Sequence, residues 1–435
     1  MWRNNRFEMS PKAKGILLAI FSVFLFTSCQ KAQKILGPES MRTVPVVPEM
    51  DDDIFPEGLK ESVSASVEKL LQVKDSQLIL GKRTVSAGDY ALALNYLLAK
   101  LDAGVTKEDF IKDVRRNFDF YGFPGEPFGK VFVTSYFSPV FSASRIRTSK
   151  HTHPLYRVPD DLVRLRIDKF IERFEKFSFL ENDKISRAKF QSLYGRIAPG
   201  GPGRTSELVP YYSRSEIDSE GRLKGKKLEI AWVDPLDAFI LQIQGSGKIR
   251  FADGEQQIIG YAAQNGHDYV AIGKFLLEWI PKEKMSLWAI ESHLRSLSYE
   301  ERMNILYKNP SYIFFRKLPG RPQTSFGTEV VDGRTIATDK AFFPRGLLVF
   351  IEFQRPTFET SSSVEPSQWK PSSRFVVNHD SGGAIKGARR VDLFWGEGKD
   401  ASRHAGVIKN WGKFFCLMPK EGFLAILREK SGGKS

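Results

Sequence analysis

NHDSGGAIKGARRVDLFWG, Asn378–Gly396, is the stretch on which the fold reading turns. Two carboxylates, Asp380 and Asp392, bracket Gly382, Gly383 and Gly387, and the aromatic pair Phe394–Trp395 follows. A plain turn needs glycine but no tryptophan, and a plain strand avoids so many glycines. The pattern predicts strand, tight glycine turn, strand, with Asp392 set among Val391, Leu393 and Phe394. An apolar frame disfavours the charged carboxylate and holds its proton toward neutral pH, as a general acid requires. From the pattern alone, a turn aspartate bonding to backbone amides reads equally well.

The flanks carry the same short-strand signal. Val330–Phe353, Phe375–Gly383, Arg389–Trp395 and Gly412–Lys420 are apolar runs separated by tight turns, which argues for a compact β barrel. Ser361–Ser373, with Pro366 and Pro371, reads as a surface excursion, and the last five residues as an unstructured tail. Further upstream, Leu228–Ala263 is rich in strand formers. Phe239 to Gln244 alternates, which puts Gln242 and Gln244 on one strand face beside the flexible Gly245–Ser246–Gly247. Such a face suits hydrogen bonds to sugar hydroxyls and acetamido groups, and a polar solvent face reads equally well. In Lys308–Pro319, Tyr312, Phe314 and Arg316 share one face of an aromatic strand. Thr134 and Tyr136, in the strand-like Gly129–Ser144, could form a ligand-facing edge or a solvated one.

Helical spacing dominates Val63–Phe120, through Ala91, Leu94, Leu97 and Leu98 and then Phe110, Val114 and Phe118. Further helices are expected at Leu162–Phe174, Val270–Trp279 and Ser286–Leu297. At the amino terminus Arg3, Arg6, Lys12 and Lys14 precede an apolar run, Ile16–Phe26, and then Thr27–Ser28–Cys29. That is the layout of a secretory signal of the bacterial lipoprotein type, with Cys29 as the lipidated first mature residue. The proline-containing, acidic stretch that follows reads as a tether. Cys416 then remains as a lone core thiol, so no intramolecular disulfide is expected.

The net charge of +14 fits a nucleic acid, an anionic membrane face or an anionic wall polymer. No zinc-finger spacing or RNA-binding run supports the first. The six histidines form no ligand set and no HExxH, so neither metal nor cofactor is expected. Ser381 lacks the elbow motif of a serine nucleophile.

Three blocks together resemble the MltA family of membrane-bound lytic transglycosylases. They are Trp232–Gly247, Asn309–Arg316 and the terminal Asp380–Gly396, joined by Asp339 in IATDKAFFPRG. The resemblance implies a mainly β chain with flanking helices: a double-psi β barrel built from two segments, with a β domain inserted between them. The division would be 1–28 signal, 29–60 tether, 61–164 first barrel segment with helices, 165–321 insert and 322–430 second barrel segment. It further implies cleavage of the β-1,4 bond between N-acetylmuramic acid and N-acetylglucosamine, yielding 1,6-anhydromuramoyl ends, without cofactor or metal.

Asp392 matches the family's catalytic aspartate, with Asp380 and Asp339 in support. Tyr136, Gln242, Gln244, Ser246 and Tyr312 are candidate substrate contacts, and Arg389 and Arg390 could attract the carboxylates of the wall peptides. The implied setting is a monomer on the periplasmic face of the outer membrane, held by lipid at Cys29. Its partners would be glycan strands and proteins of wall synthesis or division, not nucleic acid. A glycoside hydrolase or a noncatalytic wall-binding protein are the alternative readings.

Overall fold

The barrel strand at Lys130–Ser138 finds its neighbours at the far end of the sequence, and that detour organises the whole chain. The computed structural model describes residues 37–171, 173–174, 193–361 and 363–432. The expected leader and Cys29 lie outside the described residues.

The first described part is helical with short strands: β1 (Arg42–Thr43), α1 (Leu59–Gln72), β2 (Gln77–Leu80), β3 (Arg83–Ser86), α2 (Ala87–Asp102), α3 (Lys107–Asn117) and β4 (Phe118–Gly122). Helix α2 starts where the Ser86 hydroxyl accepts from the Asp89 amide, and α3 where Thr106 accepts from that of Asp109. The buried Ala91, Leu94 and Leu97 form the inner stripe of α2. The helices expected in Val63–Phe120 therefore form, divided by the β2–β3 hairpin.

Next comes β5 (Lys130–Ser138), after which the chain builds separate sheets: β6 (Val140–Ser142), β7 (His153–Tyr156), β8 (Val163–Leu165), α4 (Ile167–Ile171), β9 (Leu193–Ala198), β10 (Glu207–Pro210), α5 (Arg214–Asp218), β11 (Glu229–Val233), α6 (Pro235–Gln244), β12 (Ser246–Arg250), β13 (Gln256–Gln264), α7 (Leu287–Ser296), α8 (Tyr299–Leu306) and β14 (Ile313–Leu318). It then returns with β15 (Thr335–Ala337), β16 (Leu348–Thr357), β17 (Gln368–Asp380), β18 (Arg390–Glu397), α9 (Gly398–Ala405), β19 (Lys409–Pro419) and α10 (Glu421–Gly432).

Six strands close into a barrel in the order β19-β16-β17-β15-β18-β5, with β5 pairing back onto β19. The β15–β17 and β18–β5 pairs are parallel, the others antiparallel. Alternation sorts the side chains. Val131, Val133, Val391 and Leu393 are buried inside, while Lys130, Phe132, Thr134 and Tyr136 stay half-buried on the outer wall.

The closing strand β19 pairs with β5 at Lys409–Lys413, with β16 at Lys413–Cys416 and with β4 at Cys416–Pro419. At the changeover a Cβ on Gly412 would lie 2.0 Å from the Glu352 carbonyl oxygen. Backbone, unlike a flexible side chain, cannot swing aside. Gly412→Ala is expected to destabilise the protein by about 1–3 kcal/mol, read as a lowered denaturation midpoint.

Several sequence expectations are corrected. Phe239–Gln244 is helix, not strand. Asp234 Oδ1 accepts from the amides of Leu236 (2.8 Å) and Asp237 (3.4 Å), Pro235 opens the helix, and Gly245 ends it at φ 77°. This punctuation outweighs the two-residue alternation. Val270–Trp279 forms only a 3₁₀ turn at Ile272–Phe275, because Leu277 and Trp279 stay exposed and supply no continuous buried stripe. In Leu162–Phe174, pairing of Val163–Leu165 with β9 replaces the first turn of the expected helix, leaving α4. The β16–β17 ribbon reaches Thr357 and Gln368, so Gln368–Ser373 of the expected excursion is paired strand.

The tether reading also fails for its described part. Met41 and Met50 are buried, and Asp52 forms a fully buried ion pair with Arg334 at 2.6 Å. That arginine also donates to the carbonyls of Glu57, Ile54 and Phe375, and Asp53 pairs with Arg374 at 2.8 Å. Residues 38–58 are thus a strap bound to the barrel. The exit from the barrel also comes before the boundary near 165, since β6 already pairs with β12 and β7 with β11.

Candidate active site

Four neighbouring strands bring the key side chains into one row. In register, Asp380 of β17 faces Ala337 of β15, Ala337 faces Asp392 of β18, and Asp392 faces Thr134 of β5. Residues far apart in sequence therefore meet because the barrel alternates its two segments. Gly387, at φ 88°, lies in the turn that carries the chain from β17 to β18.

Asp392 is half-buried on the outer wall. Its Oδ1 accepts a 2.6 Å hydrogen bond from the Thr134 hydroxyl, and its Oδ2 takes none from the described residues. Burial pushes its carboxyl up to about 6 against the pull of Thr134 and Arg390, and the neighbouring Asp380 adds to the rise. Below about pH 6 the group holds its proton, and above it the acid is lost.

Asp380 is engaged on both oxygens. Oδ1 accepts from the amides of Ser325 (2.9 Å) and Ser381 (2.8 Å), and Oδ2 from the Tyr136 hydroxyl (2.9 Å). Its main-chain carbonyl accepts from the Arg345 guanidinium and from the Thr338 amide. Asp339 holds the β17–β18 turn: Oδ2 accepts from Gly387 N at 2.8 Å and Oδ1 from Ala341 N at 3.0 Å. His379, buried beside Asp380, lies between Ser66 Oγ (2.6 Å) and Thr328 Oγ1 (3.0 Å), and burial lowers it to about 3, so its ring is neutral.

The structure brings together some of the expected residues and not others. Tyr136 stands beside Asp380, its ring 5.1 Å from that of Phe394. Gln244 reaches β5, where its Oε1 accepts from Phe137 N at 3.1 Å. Ser246 opens β12 opposite Gly260 and is half-buried. Gln242 and Tyr312 are buried in the core of the inserted region, the tyrosine among Tyr211, Phe314 and Arg214. Neither offers a surface to a ligand, because Gln242 turns inward once its segment is helical. Ser325 and Arg345 join the site in addition to the residues expected from the sequence. The turn in FFPRG just after Asp339 was the available signal for Arg345, and nothing local marks Ser325.

Among the described residues no cluster of histidine, cysteine and acidic side chains could hold a metal ion. What the row can do is move a proton: one carboxyl with a raised affinity and one open oxygen. Removing its hydrogen-bond donor should strengthen its hold on the proton. Thr134→Val is expected to move the alkaline limb of the activity profile upward by about one pH unit, since a bond to a charged acceptor is worth roughly 1.5 kcal/mol. Initial rates across pH 4–9 would read this, and a downward shift would contradict the role given to Thr134.

Comparison with known proteins follows the same residues. Residues 132–316 match the model of the MltA specific insert domain, and residues 334–418 match the 3D domain. Membrane-bound lytic murein transglycosylase A of Escherichia coli K12 is 28% identical over 299 residues, spanning 68% of this chain and 67% of its own. Among solved structures, a membrane-bound lytic murein transglycosylase from Agrobacterium tumefaciens superposes with a TM-score of 0.66 at 26% identity, covering 90% of this chain and 99% of that one. E. coli MltA with bound chitohexaose has the same fold, with a TM-score of 0.62 at 22% identity and coverage of 90% and 98%.

Proposed function

Because this chain belongs to the MltA family, we propose that it is a peptidoglycan lytic transglycosylase that cuts the β-1,4 bond between N-acetylmuramic acid and N-acetylglucosamine and leaves 1,6-anhydromuramoyl ends. The observation that carries the reading is Asp392: a carboxyl raised to about 6, anchored through one oxygen by Thr134 and open at the other.

In this mechanism Asp392 starts protonated and gives its proton to the glycosidic oxygen as the bond to the muramoyl C1 breaks. The resulting carboxylate accepts the proton of the same sugar's C6 hydroxyl as O6 attacks C1. The proton count closes, no water is consumed, and Asp392 is ready for the next cycle. A single acid can serve both steps because the nucleophile belongs to the substrate, which gives it a large proximity advantage. A hydrolase would ordinarily need a second carboxylate as base or nucleophile. Asp380 is poorly suited to that part, since Tyr136, Ser325 and Ser381 already occupy its oxygens. Its role here is to position Tyr136 and to keep negative charge near Asp392.

Mass spectrometry of digested sacculi tests the reaction. Anhydromuropeptides are the expected product, and reducing ends alone would establish a hydrolase instead. The protein is membrane-associated in this reading, as the name of the E. coli relative states for that protein. Lipid at Cys29 would supply the attachment, and a Cys29→Ala protein recovered in the soluble envelope fraction is the corresponding result.

A further inference from the structure

Two residues along the strands from the catalytic row lies a second row that takes no part in the proton transfers above. Arg390 pairs in register with Phe132, and Phe132 with Trp411, all on the outer wall that also carries Asp392 and Thr134. The rings of Phe132 and Trp411 meet edge to face at 5.3 Å. Lys130 Nζ stands 4.8 Å from the centre of the Trp411 ring, and the Arg390 guanidinium 5.6 Å from that of Phe132. The order is cation, aromatic, aromatic, cation.

We propose that this row is a subsite for the acidic peptide stem of a peptidoglycan strand, so that the enzyme favours stem-bearing glycan over bare glycan. The inference rests on the transglycosylase reading and names which part of the polymer this wall contacts.

Three observations carry it. Neither Lys130 nor Arg390 forms an ion pair among the described residues, Asp392 feeling the Arg390 charge without pairing to it, whereas Arg145 pairs with both Asp253 and Glu255. The Nε of Arg390 is buried without an acceptor, and the only hydrogen bond its guanidinium makes to a described residue is a long one, 3.4 Å from Nη2 to Thr134 Oγ1. Unused donors on a half-buried cation favour an incoming anion. Second, each ring already bears a cation on a face, so what the row offers a ligand is positive charge and ring edges more than a bare platform for a sugar. Third, the row sits two residues along the strands from Asp392, about 7 Å away. The stem is attached through the lactyl ether of the muramoyl sugar whose C1 reacts, which brings its carboxylates within such a distance. Trp411 is 55% exposed, so the row is open to a polymer.

The test compares one strand preparation with its stems intact and after removal by an amidase. With the full chain in detergent, KM for formation of anhydro ends is expected to be about tenfold lower on stem-bearing strands, a difference of about 1.4 kcal/mol. In the Lys130→Gln/Trp411→Ala double variant that ratio should fall to within about twofold. Equal KM on both substrates in the unmodified protein would overturn the proposal. So would an equal loss on both in the variant, which would make the row a sugar platform. If neither substrate yields anhydro ends, the transglycosylase reading fails, and co-sedimentation with the two strand preparations judges the subsite separately. Pelleting that depends on stems and is lost in the double variant supports it, and pelleting indifferent to stems overturns it.

Discussion

Asp392→Asn is expected to abolish formation of anhydro ends while the protein still binds sacculi. Asparagine keeps the shape and can still accept from Thr134, whose hydroxyl lies 2.6 Å from Oδ1. What it cannot do is carry a proton to the glycosidic oxygen and collect another from the C6 hydroxyl. General acid–base assistance is worth roughly 10²–10⁴ in rate, and here one group supplies both halves, so a loss of at least about 10³-fold is expected. Binding should persist, because the outer wall around the acid is otherwise unchanged. Turnover preserved in Asp392→Asn would remove the residue from its assigned place. Asp380→Asn makes a useful contrast. Loss of the neighbouring negative charge should lower the proton affinity of Asp392 and move the alkaline limb of the profile down, opposite in sign to Thr134→Val.

The second large effect lies far from the chemistry. Asp52→Ala is expected to cost about 3–5 kcal/mol of stability, because it leaves the buried Arg334 charge without its counterion. The three carbonyls around the guanidinium satisfy donors but bring no net negative charge. Asp52 also accepts from the Phe375 amide at 3.1 Å, so the substitution strips a barrel strand of one partner as well. Denaturant unfolding of the two proteins side by side measures the difference. A midpoint shift worth less than about 1 kcal/mol would mean that water reaches Arg334 and that the strap is held elsewhere.

Much of the barrel was legible because its strands are short apolar runs cut by glycine turns, and because Asp380, Asp392 and the glycines between them lie in one continuous segment. Asp392 showed itself through Val391 and Leu393, which alternation buries inside the wall while the acid faces out. Long-range pairing was not legible. Nothing near Thr134 announces that it will face a residue in the last part of the chain, and nothing near Asp52 that Arg334 will cover it. The misread Phe239–Gln244 teaches something narrower. The Asp-Pro start and the glycine stop of that helix are in the sequence, and they outweigh the alternation of its side chains. With the helix came the burial of Gln242, and with it the loss of a supposed sugar contact. Residues 38–58 have the prolines and aspartates of a spacer, and it is the buried Arg334 taking Asp52 as its counterion that holds them to the barrel.

The pairing of β5 with both β18 and β19 has a consequence for the order in which the chain acquires its structure. Strand β5 emerges early in synthesis but has no barrel neighbours until nearly all of the chain has followed. Every strand from β6 to β14, by contrast, pairs only within that stretch. The inserted region can therefore mature while the barrel waits, and ring closure falls to β19, the last strand made. Such long-range closure makes for slow, late assembly, with the edge of β5 exposed meanwhile to strand-seeking neighbours. The row of Asp380, Asp392 and Thr134 spans both halves of that ring and forms only once β18 has joined β5, so a chain that stops short of β18 cannot assemble the setting proposed for the acid.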